Sequence, residues 1–365
     1  VSASGTRIGA LDAVRGVAIL SVICTHSLTA VVAATGSYEI PGPIFRAFDY
    51  AQFGVPLFFA LSGWLMFSLY TGEGRFTQPL FWSRRWARIW PLWAIFTVVS
   101  YLLYGTPDTA LPLAVAMLLV LLFLGWLSPV LAVYPLGGIT IQQEMGHYLL
   151  FSMLRRRGPL LLAGTVIVGY ATWLLAEVAV TRVEPGSWLA VALEAWLRLA
   201  LFRTWPFFLI GGAAFVVYRA WKAEGVREVL PRSPWVALTV SAALFLALFT
   251  TYAQSTPGFF VLGFVVLAAA LAVAANGIPA VGPALRSIGK YSYFMYFMHF
   301  IVLRWLEGVY RDSSLPGDNT TSAGYNVLLL MGIVVVTTVI SWALGWVSWR
   351  VLEKPVLGFA HRRVR

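Results

Sequence analysis

Charge is scarce in this chain. Asp, Glu, Lys and Arg make up only 11% of its 365 residues, against about 25% in a soluble domain. Cysteine occurs once, at Cys24, so no intrachain disulfide can form. Histidine occurs four times, at His26, His147, His299 and His361, with no HExxH pair and no second cysteine to join them. A metal site is therefore not expected. No Walker loop and no GxSxG nucleophile elbow is present, which removes the commonest signatures of nucleotide hydrolysis and of serine hydrolases. Lysine is nearly missing: Lys222, Lys290 and Lys354 are the three among 26 basic residues. Arginine suits bidentate phosphate contact, although a high-GC codon bias gives the same skew. The basic residues are spread over short loops between apolar runs, not gathered on one segment, so nucleic acid is not expected as a partner.

Apolar residues fill the space that charge leaves. They make up 59% of the chain, and the mean hydropathy is +0.79. Both values belong to a protein whose partner is the lipid bilayer. Windows of about twenty apolar residues fall near 11–33, 50–70, 88–104, 139–154, 159–180, 197–218, 234–252, 257–275, 288–308 and 323–349. A further stretch, 110–134, contains Pro112, Gly125 and Pro129. Charge decides how to count it. With ten crossings and the N-terminus inside, the inner loops hold Arg75, Arg84, Arg85, Arg88, Arg155–Arg157, Arg219, Lys222, Arg227, Arg232, Arg286 and Lys290, and the inner tail holds Arg350, Lys354, Arg362, Arg363 and Arg365. The outer loops keep chiefly Arg46, Arg182 and Arg311. That is the positive-inside pattern, and an eleventh crossing would push Arg155–Arg157 outside. The expected architecture is an all-α integral membrane protein: one domain over 1–365, about ten transmembrane helices, and a broken or re-entrant segment near 110–134 buried by protein. Both termini are expected in the cytoplasm and the bilayer is expected to be the plasma or inner membrane. The first apolar stretch lacks a small-residue cleavage site and is expected to stay as a span.

Ionisable groups inside spans are costly and usually functional. The stretch 11-LDAVRGVAILSVICTHS-27 carries three. At about 100° per residue, Arg15 and His26 fall within roughly 20° of each other and Asp12 about 60° from Arg15. All three share one stripe. Asp12 and Arg15 are three apart, so pairing with each other near the inner surface competes with a functional reading. His26 lies about 22 Å up the helix from Leu11, in the outer half of the bilayer. Glu144 sits about 7–8 Å below the outer end of the span that starts at Ile139. An imidazole and a carboxylate at one depth suit a base and its orienting partner; a packed, hydrogen-bonded histidine is the competing reading. His147 shares the face of Glu144. Cys24 is about 200° from His26 on the wheel, so the two do not form a dyad. In 81-FWSRRWARIWP-91, Arg85 and Arg88 lie one turn apart at the cytoplasmic end of a span. They suit either phosphate binding or, with Trp82, Trp86 and Trp90, an interfacial anchor. His299 lies near mid-membrane within 291-YSYFMYFMHF-300, among rings that suit packing as well as binding. Gly211–Gly212 has the look of a helix-packing contact.

In order along the chain, 10-ALDAVRGVAILSVICTH-26, 54-GVPLFFALSGWLM-66, 84-RRWARIWP-91, 139-ITIQQEMGHYLLF-151, 291-YSYFMYFMHF-300 and 350-RVLEKP-355 resemble the motifs of the integral-membrane acyltransferase 3 family. The similarity runs from residue 10 to 355. The sequence departs from the family pattern at Ile139, where tryptophan is usual, at Gln142 and Gln143 before the glutamate, and at His147, where phenylalanine often stands. The resemblance implies an enzyme that moves an acyl group, commonly acetyl, from acyl-CoA to a hydroxyl of a sugar, glycolipid, polysaccharide or small molecule, with no permanently bound cofactor. It implies His26 and Glu144 as catalytic residues and Arg15, Arg85 and Arg88 as donor-binding residues. Asp12, Ser62, His147, Tyr291, Ser292 and His299 are implied as supporting residues. His26 would act as general base or as a covalent acyl carrier, and the sequence does not separate the two. A proton-coupled transporter is the runner-up, because transporters also place His and Glu in spans, but the internal repeat many of them carry is missing. Oligomeric state is not legible.

Overall fold

The long apolar segments that the computed structural model describes are helical, because a backbone in hydrocarbon must satisfy its own hydrogen bonds. The structure describes residues 9–36, 39–71, 78–104, 113–123, 137–154, 178–191, 201–223, 257–312 and 322–363, with isolated positions between 164 and 193. In chain order the helices are α1 (Gly9–Thr35), α2 (Gly42–Tyr50), α3 (Gly54–Thr71), α4 (Gln78–Tyr104), α5 (Leu113–Leu121), α6 (Gly138–Leu154), α7 (Leu201–Ala223), α8 (Pro257–Asn276), α9 (Val281–Arg311), α10 (Ala323–Ser348) and α11 (Lys354–Arg363). A 3-10 turn joins α2 to α3 and a π-turn joins α10 to α11. No strand occurs among the described residues. Hydroxyls within α1 and α4 bond one turn back: Ser21 to the Val17 carbonyl, Thr35 to Val31 and Thr97 to Trp93. A polar side chain is thereby tolerated inside an apolar helix.

Four stretches among the described residues are long and apolar enough to cross a bilayer: Gly9–Thr35, Gly42–Leu69, Phe81–Leu103 and Ala323–Phe359. Their outward faces are apolar. Leu102 on α4 is 73% exposed and Leu328 on α10 is 75% exposed, which suits contact with hydrocarbon. Helices also occupy the expected windows 139–154, 197–218, 257–275 and 288–308. The windows 159–180 and 234–252 lie largely or wholly outside the described residues. Of the stretch 110–134, residues 113–123 are described. The described helix there, α5, is nine residues long, about 13.5 Å. It stops where Phe123 takes a left-handed backbone, φ 59°, and packs its ring on Trp86 and Trp93. The indole nitrogens of Trp90 and Trp93 donate to the carbonyls of Leu121 and Val120, so α4 supplies donors to two of the last carbonyls of α5.

The chain divides into two units. The first comprises Val1–Leu61 and Val217–Arg350. Its centre is α1, packed chiefly on α9 and also on α8, α10 and α2. Glycine permits the α1–α9 approach. A Cβ on Gly289 would lie 1.7 Å from the Asp12 carbonyl oxygen, and one on Gly16 would lie 2.4 Å from that of Leu285. The two backbones touch where side chains are missing, the usual solution for helices that gain little hydrophobic drive from association in lipid. Farther along, Leu28, Val31, Ile40, Leu303, Leu330 and Ile333 form one buried apolar cluster, and Asn326 ties α10 to the Glu39 carbonyl at 3.0 Å.

The second unit comprises Ser62–Val216 and Val351–Arg365. It holds the latter part of α3 with α4, α5, α6, most of α7, and α11. Gly63 plays the part that Gly289 plays in the first unit: a Cβ there would lie 1.7 Å from the Phe208 carbonyl oxygen. Gly212 lies against the Phe67 ring. α11 lies against α4, and Gln78 at the start of α4 donates to the Ser152 carbonyl at 3.2 Å.

Candidate active site

In the first unit, α1 and α9 bring two histidines side by side. His26 on α1 is half-buried. Its ring lies 5.4 Å, centroid to centroid, from the ring of His299 on α9 and 4.5 Å from that of Phe300. Neither nitrogen of His26 makes a hydrogen bond among the described residues. His299 is fully buried. Its Nδ1 lies 3.1 Å from the Met295 carbonyl oxygen, and its Nε2 is buried with no hydrogen-bond partner among the described residues. Phe300 and Tyr296 flank it at 4.1 and 5.8 Å.

Asp12 and Arg15 lie toward the other end of α1 and pair with each other at 2.8 Å. Their positions on the polar stripe are thus used at least in part for mutual neutralisation. Tyr291 and Ser292 are buried on α9. The Tyr291 ring meets Trp342 edge-on at 6.4 Å and carries the Lys290 ammonium at 5.1 Å. Cys24 is a free thiol.

In the second unit the carboxylate of Glu144 is the focus. Ser62 Oγ donates to Glu144 Oε1 at 2.5 Å, and the Tyr148 hydroxyl donates to the same oxygen. The Tyr148 hydroxyl also lies 3.2 Å from Ser62 Oγ. Ser62 and Tyr148 are buried and Glu144 is half-buried. The guanidinium of Arg85 lies 4.5 Å above the Tyr148 ring and 5.6 Å from that of Phe81, close enough for a cation–π contact. Arg88 is exposed and within electrostatic reach of Arg85, Tyr148, Glu144 and Glu353. Glu144 and the two arginines therefore share one neighbourhood, and Tyr148 joins them through its hydroxyl and its ring. This corrects the expected separation of Glu144 near the outer end from the arginines at the cytoplasmic end, because α4 starts at Gln78 and carries Arg85 and Arg88 about two to three turns inside the helix. His147, on the same helix, points elsewhere. It is fully buried, 3.1 Å from Thr204 Oγ1, with Trp205 and Phe208 at 5.3 and 5.4 Å. The backbone of His361 is part of α11, and its side chain lies outside the described residues.

Residues 8–346 match the acyltransferase domain of the acyltransferase 3 profile. The chain belongs to the acyltransferase 3 family. The acyltransferase MdmB of Streptomyces mycarofaciens is 24% identical over 394 positions, covering 98% of this chain and 93% of the relative. No solved structure matches the chain. This member of the acyltransferase 3 family is accordingly a transferase, and its apolar helices are those of a membrane protein.

The expected residues of this acyltransferase fall into two sets. His26, His299, Asp12, Arg15, Tyr291 and Ser292 are in the first unit; Glu144, Ser62, Arg85, Arg88 and His147 are in the second. Tyr148 was not among the expected site residues. Its signal was in the sequence all the same: it stands four residues after Glu144, the spacing that puts two side chains on one helix face. Among the described residues no three His, Cys, Asp or Glu side chains gather as a metal-ligand set.

Proposed function

We propose that this protein transfers an acyl group, acetyl in the simplest case, from acyl-CoA to a hydroxyl of a sugar, glycolipid, polysaccharide or small molecule. The observation that carries the reading is the state of His26: a half-buried imidazole on an apolar helix whose nitrogens are both uncommitted among the described residues. A structural histidine at that depth would spend at least one nitrogen on a carbonyl or hydroxyl, as His299 and His147 do. A neutral imidazole keeps one ring nitrogen as a bare lone pair, which can accept the proton of an acceptor hydroxyl. The hydroxyl oxygen attacks the thioester carbonyl, the carbon–sulfur bond breaks, and the proton taken by His26 passes to the departing CoA sulfur. The products are an ester and free CoA.

The donor is anionic and is made in the cytoplasm. Arg85 and Arg88 are its proposed phosphate contacts, with Arg15 as a further positive group, and Glu144 with Ser62 and Tyr148 is the proposed support of the donor side. The positive-inside loops support about ten crossings, cytoplasmic termini and a plasma or inner membrane location. The acceptor is proposed to arrive from the outer face. Mass spectrometry of envelope glycans and lipids tests the reading, comparing cells that carry the parent protein with cells that carry His26→Ala. Acyl esters found only with the parent protein are the expected result. Identical ester content in the two, at equal protein levels, would remove the assignment.

A further inference from the structure

His299 carries a buried acceptor with nothing to accept. A neutral imidazole has one N–H donor and one bare nitrogen. The Met295 carbonyl can only accept, so Nδ1 of His299, 3.1 Å away, holds the hydrogen. Nε2 is then a lone pair, buried and without a partner among the described residues. Such a group costs free energy unless something donates to it.

His26 is placed to do so. In an N–H···N bond of about 2.9 Å, each ring nitrogen lies about 1.2 Å from its own centroid, which puts two edge-on imidazoles about 5.3 Å apart. The two centroids here are 5.4 Å apart, with the rings tilted 37° to each other and no bond yet made between them. The terminal torsion of a histidine is broad, so rotation of the His26 ring can present an N–H to His299 Nε2. The helices that carry the rings cannot drift, because α1 and α9 are in backbone contact at Gly16 and Gly289.

We propose that His299 is the positioning residue for His26. It accepts a hydrogen bond from one His26 nitrogen, which leaves the other His26 nitrogen as the lone pair that faces substrate. When His26 takes the proton of the acceptor hydroxyl, both its nitrogens are donors, and His299 Nε2 holds the resulting cation in place. The chain of fixed tautomers thus begins at a backbone carbonyl, Met295, and not at a carboxylate. The inference rests on the acyl-transfer reading above, in which His26 is the base.

His299→Phe keeps a ring and removes the acceptor; His299→Gln puts an amide oxygen close to the place of Nε2. Both are purified beside the parent and assayed for free CoA released from acetyl-CoA. A hydrogen bond to a charged group contributes about 1.5–3 kcal/mol, so kcat should fall about 10- to 150-fold in His299→Phe, with KM for acetyl-CoA unchanged. His299→Gln should recover most of that loss. Turnover in His299→Phe within twofold of the parent would overturn the proposal, and so would equal loss in the two variants, which would mark His299 as a packing residue. If His299→Phe does not fold, nitrogen-15 NMR of the histidine-labelled parent decides, with the His26 signals identified by their loss in His26→Ala. One fixed His26 tautomer is expected, and a mixture of both refutes the pairing. An active parent with an unaffected His299→Phe removes this inference alone. A parent that releases no CoA from acetyl-CoA with any hydroxyl acceptor removes the acyl-transfer reading itself.

Discussion

Gly289→Ala adds one methyl group where α9 touches α1. The new Cβ would lie 1.7 Å from the Asp12 carbonyl oxygen and 2.8 Å from the Gly16 nitrogen, whereas ordinary contact begins at 3.4 Å. Both obstacles are backbone, so no rotamer change relieves them. The helices must part by about 1.7 Å along the line of the clash, and a gap of even 0.5–1 Å forfeits a quarter to a half of the dispersion energy between facing atoms. Overpacking ordinarily costs about 1–3 kcal/mol, and a backbone clash belongs at the upper end. At roughly 2–4 °C per kcal/mol for a unit of this size, the melting temperature in detergent should fall by roughly 6–12 °C. Gly308→Ala supplies the control on the same helix. Nothing lies within 4 Å of its added Cβ, so the reduced freedom of the unfolded chain should stabilise the protein by about 0.5–1 kcal/mol. Gly289 is ten residues from His299, about 15 Å along the axis, and touches no proposed substrate position. Turnover should nevertheless fall, because His26 and His299 ride on the two parted helices. Thermal unfolding of the purified variants is the assay. Equal melting temperatures for Gly289→Ala and Gly308→Ala would refute the close α1–α9 contact on which the site geometry depends.

Tyr148→Phe should keep the ring under Arg85 and remove the bond to Glu144. Thermal unfolding should show a loss of about 1.5–3 kcal/mol, and titration with acetyl-CoA should show a smaller loss of affinity than in Tyr148→Ala, which also removes the ring under Arg85; equal loss of affinity in the two variants would contradict the division of labour between ring and hydroxyl. Arg85→Ala and Arg88→Ala should each raise KM for acyl-CoA by about 10- to 150-fold, the loss of one charge-assisted contact, with a smaller effect on kcat, and donor affinity equal to the parent's in both variants would leave them as interfacial anchors. In sealed vesicles of known orientation, product should form with acetyl-CoA on the cytoplasmic side and an impermeant acceptor on the other. Product formed only with both on the cytoplasmic side would end the cross-membrane route and leave acyl transfer standing.

The helices were legible because lipid imposes a length and a composition on any segment that spans it. Windows such as 139–154 and 323–349 fall on α6 and α10 almost residue for residue. The ends were less legible. α4 begins at Gln78, ten residues before the apolar window at 88, because its first turns carry Arg84, Arg85 and Arg88, which a hydropathy window reads as a loop. The polar stripe of α1 named His26, Asp12 and Arg15, yet not what each would meet. Asp12 and Arg15 meet each other, an i,i+3 pairing that spacing allowed. His26 meets His299, 273 positions away, and Ser62 meets Glu144, 82 positions away. Contacts of that range depend on which helices are neighbours, and no periodicity in one sequence encodes neighbourhood. Gly16 and Gly289 carried a signal of their own, small residues within apolar helices, but a lone glycine does not announce the backbone opposite.

Acyl transfer from acyl-CoA is proposed to take place at His26. The most direct measurement is thiol release by purified parent protein and His26→Ala, supplied with acetyl-CoA and a panel of hydroxyl acceptors, with folding of both checked by melting temperature. Acceptor-dependent CoA release by the parent is expected, with a fall of at least about 10²-fold in His26→Ala, the loss expected for a general base, in a protein that melts with the parent. Near-parent turnover by a well-folded His26→Ala protein would contradict it.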